Sequence, residues 1–159
     1  MRRAREHPSS AYAAGLRALA GREVSTEALR ARLLERFEAD EVASAIDRLT
    51  AEGALNDRRT AAAYARTAVS VKRRGRLRIV RELEARGIAR DLAEQVTNDA
   101  MADADEPQLL ERALARALKG GALDQRARRR VYASLVRQGF PPDLVVAALR
   151  AHRAAPADE

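Results

Sequence analysis

The sequence predicts an all-α protein: three tandem three-helix repeats forming an elongated, curved array. Three observations carry this. Apolar residues recur at helical spacing along almost the whole chain, and no alternating strand pattern of useful length appears. Glycines, prolines and short polar residues cut the chain into about nine helical segments. One pattern also returns: "IVRELEARGIARDLAEQV" (79–96) lies over "VYASLVRQGFPPDLVVAA" (131–148) at an offset of 52.

Taken in order, the helices span about 10–21, 26–36, 39–52, 57–71, 76–86, 90–102, 106–118, 124–138 and 142–153. Ser25, Asn56–Asp57, Asp105 and Asp124 suit helix starts, because a short side-chain oxygen accepts from the free amides of a first turn. Gly53, Gly87 and Gly139 sit where a left-handed residue closes a helix, and Pro107 and Pro142 fall in first turns. Leu83/Leu135, Gly87/Gly139, Ile88/Phe140, Asp91/Asp143 and Leu92/Leu144 fall in register between the second and third units. "LRARLLERFEADEVASAI" (29–46) matches at about 51 residues, with Phe37 in the place of Ile88 and Phe140 but without the glycine. The resulting division is a basic tail at 1–9, repeats at 10–54, 55–104 and 105–153, and a second tail at 154–159. A three-helix unit of this size buries little alone, so stacking on its neighbours supplies the rest of its stability.

The 159 residues are 47% hydrophobic but only 3% aromatic, without tryptophan, so the cores are built from Leu, Val, Ile and Ala. The absence of cysteine excludes disulfides and thiolate metal sites. No stretch approaches the ~18 apolar residues of a membrane span. MRRAREHPSS, at the start, is basic but lacks the apolar segment of a signal peptide. A soluble monomer in the cytoplasm is the expectation.

The net charge is +7, and it is unevenly placed. Residues 1–54 hold nine basic and nine acidic side chains, residues 55–104 eleven against seven, and residues 105–159 ten against seven. Only Lys72 and Lys119 are lysines; an Arg- and Ala-rich composition also follows from a GC-rich genome. The basic residues that stand out are Lys72, Arg73, Arg74, Arg76, Arg78 and Arg81 around Gly75, and Arg126, Arg128, Arg129 and Arg130 in the third unit. Lys72–Arg74 suit the end of a helix, where cations face the negative pole of the macrodipole. Arg76 and Arg78 oppose the dipole of the helix they begin, at a cost of a few tenths to ~1 kcal/mol each. Aligned at these offsets, Glu27, Arg78 and Arg130 share one position, which changes from acid to arginine. Free first-turn amides and guanidinium groups converging on a phosphate explain that change, so these ten residues are the candidate anion contacts.

Tyr12, Tyr64 and Tyr132 have helical spacing that reads as core or groove filling and not as a base-stacking platform. Contacts to a phosphate backbone or an acidic protein surface therefore fit better than base-specific reading. Catalysis has no visible basis. His7 and His152 fall in or near the tails, no serine has a nucleophile-elbow context, and the Gly120–Gly121 doublet precedes no Lys-Ser/Thr pair. No enzyme activity, cofactor or metal is expected.

Four segments in order resemble one known family. They are "AYAAGLRALAGREVSTEALRARLLERF" (11–37), "AEGALNDRRTAAAYAR" (51–66), "RRGRLRIVRELEARGI" (73–88) and "LVRQGFPPDLVVAAL" (135–149). They are similar to the opening Tyr-Ala-Leu segment, the Glu-Gly-Tyr-Leu-Asn-Asp segment, the Arg-Gly…Glu-Leu…Gly-Ile stretch and the C-terminal unit of RecX, the bacterial regulator of the RecA recombinase. The resemblance spans roughly residues 10–150. Two positions depart from it: Ala54 stands where the family usually has Tyr, and Thr60–Ala61 where an aromatic is common. The resemblance implies a curved monomer of three tri-helical repeats lying in the groove of the RecA–single-stranded-DNA filament. There it would limit filament growth and damp ATP hydrolysis, strand exchange and co-protease action in the SOS response and DNA repair. The ten basic residues would then meet RecA or single-stranded DNA without sequence preference, with duplex DNA as a further candidate. The alternative is a free-standing, sequence-nonspecific DNA- or RNA-binding helical protein.

Overall fold

Nine α-helices run through the residues that the computed structural model describes, 10–118 and 124–154. They are α1 (Ala11–Leu19), α2 (Thr26–Leu34), α3 (Ala39–Ala51), α4 (Asp57–Ser70), α5 (Arg76–Glu84), α6 (Arg90–Ala104), α7 (Glu106–Leu118), α8 (Gln125–Arg137) and α9 (Pro142–Ala154). Every boundary lies within two residues of the sequence reading. The tails 1–9 and 155–159, with His7, and the segment 119–123 carrying Lys119 and Gly120–Gly121 lie outside the described residues.

Helix starts follow the capping chemistry of their sequences. Ser25, Asn56 and Asp124 accept from Ala28, Arg59 and Ala127 amides at 3.2, 2.9 and 2.6 Å. Asp105 ends α6 in the left-handed conformation and also accepts from the Gln108 amide at 3.3 Å, so one residue closes α6 and opens α7. Gly53, Gly87 and Gly139 all have positive φ.

The helices pack in consecutive threes around separate apolar cores. Leu29, Leu33, Val42, Ile46, Leu49 and Leu55 bury together in the first set; Ile79, Leu83, Ile88, Val96 and Met101 in the second; Leu114, Leu135, Phe140, Val145 and Leu149 in the third. The buried pairs correct one alignment. Leu29 and Leu33 occupy the places of Ile79 and Leu83, and N-cap Ser25 that of N-cap Gly75, so the offset before the turn is 50 and not 51. The first set lacks the turn glycine, which shifts everything before it by one residue. Glu27 therefore corresponds to Leu77, and Arg78 to Ala28, so no acid-to-arginine switch occurs at that position.

What joins the three sets is a head-to-tail column of their middle helices. The end of α8 meets the start of α5: the Gly75 and Leu77 amides donate to the Gln138 and Gly139 carbonyls at 2.9 and 3.0 Å. The end of α5 meets the start of α2, where the Ser25 hydroxyl donates to the Arg86 carbonyl. Each junction brings the negative pole of one helix dipole to the positive pole of the next. Glycine makes the approach possible. A Cβ on Gly75 would lie 2.3 Å from the Gly139 carbonyl carbon, and one on Gly139 2.5 Å from the Arg78 nitrogen.

The first junction is otherwise polar. Asp57 accepts from the Thr26 amide at 2.7 Å, and Glu23 takes Arg59 at 3.0 Å and Thr60 at 2.9 Å. Thr60 thus serves this ion-paired seam, while Ala61 is fully buried in the second core.

Gly139 and Gly53 separate backbone strain from close approach, since both have positive φ but open space surrounds Gly53. Gly53→Ala should cost only about 1 kcal/mol of left-handed strain. Gly139→Ala adds a backbone clash and should cost about 2–4 kcal/mol. Urea or thermal unfolding of both variants checks this; equal losses would contradict the junction's role.

Candidate anion-binding face

The basic residues singled out from the sequence fall into two groups. One group is engaged within the protein. Arg74 and Arg78 both pair with Glu82, the latter at 3.0 Å, and Tyr64 donates to the same carboxylate at 2.5 Å. Lys72 Nζ lies 5.0 Å from the centre of the Tyr64 ring and the Arg86 guanidinium 4.1 Å from it. Arg76 reaches from α5 to Glu106 at the start of α7, with Nη2–Oε2 at 2.6 Å and Nε–Oε2 at 2.8 Å, and also donates to Asn98 at 3.2 Å. Glu106 is only 6% exposed, and the half-buried Arg76 covers its carboxylate, so this pair ties the second and third sets together.

These contacts change the physical reading of the α5 start. Its Gly75 and Leu77 amides are taken by the α8 carbonyls, so they form no open anion cradle. The first-turn arginines have partners that offset the dipole: Glu106 for Arg76, and Glu82 with the Arg137 carbonyl, 3.5 Å away, for Arg78. Lys72–Arg74 also do not form the last turn of α4, which stops at Ser70 with Val71 as C-cap.

The other group points away from such partners. Arg73, Arg81, Arg126, Arg129 and Arg130 are exposed and Arg128 is half-buried, and none forms an ion pair with a described residue. Arg126 and Arg128 lie in the first turn of α8, and Arg129 and Arg130 in the second. This helix start is capped by its own Asp124 and, among the described residues, receives no helix end from a neighbour. It is the open positive pole of the column, with four arginines on it.

Arg73 is the one member of the basic loop held in a strained conformation. It is left-handed, with φ 53°, at a closure where the Arg74 amide returns to the Ala68 carbonyl at 3.0 Å. The chain uses glycine at the corresponding closures after α3, α5 and α8. Arginine there costs ~1–2 kcal/mol relative to a residue without Cβ.

Sequence reasoning passed over Glu82 and Glu106 and read Tyr64 only as filler, yet these three organise the engaged group. Only the Arg78–Glu82 spacing of four residues was a local signal for them. Tyr132 was read as filler, but it is 36% exposed; its place on α8 puts it off the face that buries Val131 and Leu135. Among the described residues there is no cluster of His, Cys, Asp or Glu able to hold a metal, and no helix long and apolar enough to cross a membrane.

Fold and surface together define the class: a tandem three-helix-repeat protein with a basic, unpaired helix start at one end. The chain belongs to the RecX family of regulatory proteins. It is 37% identical over 145 residues to the regulatory protein RecX of Trichlorobacter lovleyi, covering 87% of this chain and 92% of that one. It is also 39% identical over 92 residues to the regulatory protein RecX of Thermus thermophilus, covering 58% and 63% of the two chains. The family model described as "RecX, second three-helix domain" matches residues 56–96, which hold α4, α5 and the first half of α6. The crystal structure of RecX from Lactobacillus salivarius has the same fold, with a TM-score of 0.74 at 20% identity over 91% of this chain and 96% of that one. A second RecX crystal structure gives 0.76 at 18% identity, covering 87% and 69%.

Two variants probe this face. Burial pushes the Glu82 carboxyl up, but donation from Tyr64, Arg74 and Arg78 outweighs it and holds the group at about 2, below its ordinary 4.5. A depressed folded value means stability present above about 4.5 that is lost as pH falls toward about 2. Glu82→Gln should therefore lower stability at neutral pH by about 2 kcal/mol, with the difference from wild type closing between those pH values. Thermal melts across that range test the assignment, and a pH-independent difference would contradict it. Arg73→Gly should instead raise stability by about 1 kcal/mol through relief of the left-handed strain. A lowered melting temperature would show that the arginine side chain has a structural role.

Proposed function

We propose that this protein regulates RecA by lying in the groove of the RecA–single-stranded-DNA filament and limiting its growth. By this reading it damps RecA's ATP hydrolysis, strand exchange and co-protease action, and so the SOS response and recombinational repair. It acts in the cytoplasm as a monomer and by binding alone, with repeats 10–54, 55–104 and 105–153 as its docking modules. RecX family membership supports the partner. The observation that carries the mode of contact is the start of α8, where Arg126, Arg128, Arg129 and Arg130 have no acidic partner among the described residues.

A filament groove is long and its floor is polyanionic. A modular rod reaches it through many modest contacts, whose joint affinity falls as salt rises. The exposed arginines of α8, with Arg73 and Arg81, supply charge of that kind, and no ion pair with a described residue competes for it. Lys72, Arg74, Arg76 and Arg78 act first as structural cations that shape the same face, and Arg76 holds the second and third repeats together through Glu106.

The experiment is RecA's single-strand-dependent ATPase, measured with the wild type and with the variant carrying Arg126→Glu, Arg128→Glu, Arg129→Glu and Arg130→Glu. Wild type should inhibit at amounts below the RecA concentration. The variant should need at least ~10-fold more protein, with direct DNA binding shallower in salt by about 3 in logarithmic slope. Its melting temperature should stay within a few degrees of wild type. Arg76→Ala should do the reverse, lowering stability first, because it strands the Glu106 carboxylate. Full inhibition by the four-site variant would sink the α8 assignment. Inhibition that disappears whenever DNA is in excess would favour simple competition for DNA.

A further inference from the structure

We infer that Tyr132 is a stacking contact for an unpaired nucleobase, which makes the α8 face a reader of single-stranded nucleic acid in preference to duplex. The inference rests on the proposal that this face meets nucleic acid and deepens it by naming the part of the strand that is recognised.

The three tyrosines provide an internal comparison. Tyr12 donates its hydroxyl to Glu52 at 2.6 Å, with the Arg48 guanidinium 3.9 Å from the ring centre. Tyr64 donates to Glu82, with Arg86 at 4.1 Å over its ring. In both, the hydroxyl is satisfied and a cation covers one face of the ring. Tyr132 has neither among the described residues: its hydroxyl bonds to none of them, none of their cations lies over its ring, and it is 36% exposed.

Its neighbours along α8 sharpen the assignment. Arg128 and Arg129 stand four and three residues before it, so all three occupy adjacent places on one side of the helix. Neither arginine has an ion pair with a described residue. Val131 and Leu135 occupy the core-facing side and hold the helix in place. A partly exposed tyrosine ring beside two guanidinium groups that pair with no described acid offers a π surface to a base and two forks to the phosphates on either side of it. Stacking of this kind tolerates any base, since every base has a π face. In a duplex those faces are already stacked within the helix, so the contact is available only to a single strand.

The test uses the full-length protein and fluorescence anisotropy with two labelled strands of equal length, an oligothymidylate and an abasic oligodeoxynucleotide. Wild type should bind the thymidylate at least ~5-fold more tightly than the abasic strand. Tyr132→Ala should lose that preference while keeping its affinity and salt dependence for the abasic strand, and Tyr132→Phe should keep the preference. The chain has no tryptophan, so Tyr132→Trp provides a single reporter whose emission should be quenched by thymidylate and not by the abasic strand. Equal preference in wild type and Tyr132→Ala would overturn the stacking inference and leave phosphate contact standing. A wild type that binds neither strand would overturn the nucleic-acid reading of this face, and the stacking inference with it. Circular dichroism melts of the variants should match wild type, as expected for an exposed side chain; a large loss in Tyr132→Phe would assign the residue to the fold.

Discussion

The constraint on which the rest of the structure depends is the meeting of helix ends along α8, α5 and α2. A helix leaves its first amides and last carbonyls without intrahelical partners, and burying them unpaired is costly. Here one deficit cancels the other: α8 carbonyls take α5 amides, and an α5 carbonyl takes the α2 cap hydroxyl. Three small cores, each too modest to stand well alone, are thereby connected through backbone groups whose geometry is fixed. The contact is so close that Gly75 and Gly139 admit no side chain, and Gly87 would place a Cβ 2.7 Å from Glu27.

That constraint also governs the electrostatics. Had the α5 start been open to solvent, Arg76 and Arg78 would oppose an unscreened dipole and be best explained by a bound anion. With the α8 end docked there, carbonyl dipoles and the carboxylates of Glu82 and Glu106 surround the same cations. Arg76 is thereby a cross-link between repeats, while Arg78 is held by Glu82 of its own helix, with a 3.5 Å donation to the Arg137 carbonyl across the junction. The charge left over lies on the helix start that, among the described residues, nothing caps from outside. Counting charges in a sequence does not separate these cases, because the partners of a cation decide which it is.

The helices, their caps and their closing glycines were legible because each is decided by residues close in sequence. Asn56, Asp124 and Gly139 do where they stand what their chemistry prescribes. The register between the first two units was not, since a missing glycine moved it by one residue and only the burial of Leu29 and Leu33 revealed the shift. Roles at the candidate site depended on longer separations. Glu106 lies 30 residues from Arg76 and the Arg137 carbonyl 59 from Arg78, and no local pattern announces either contact. The surroundings of Tyr132 were not legible for a related reason: helical spacing shows that a tyrosine lies on a helix, while its neighbours in space decide how far its ring is covered.

The column has two unlike ends, and their difference gives the molecule a direction. At the end of α2 the path from Leu33 to Val42 is one residue shorter than those from Leu83 to Ala93 and Leu135 to Val145. Arg36 stands where the glycine would be, and no left-handed residue closes that turn. Leu34 stays 48% exposed and Phe37, counterpart of the buried Ile88 and Phe140, only half-buried. Glu35, Glu38, Asp40 and Glu41 are exposed around this negative pole. At the opposite pole α8 starts three residues earlier than α5 does in register with it, and the added turn carries Arg126. The α8 start is thus strongly positive, while at the α2 end exposed acids stand beside the equally exposed Arg32 and Arg36.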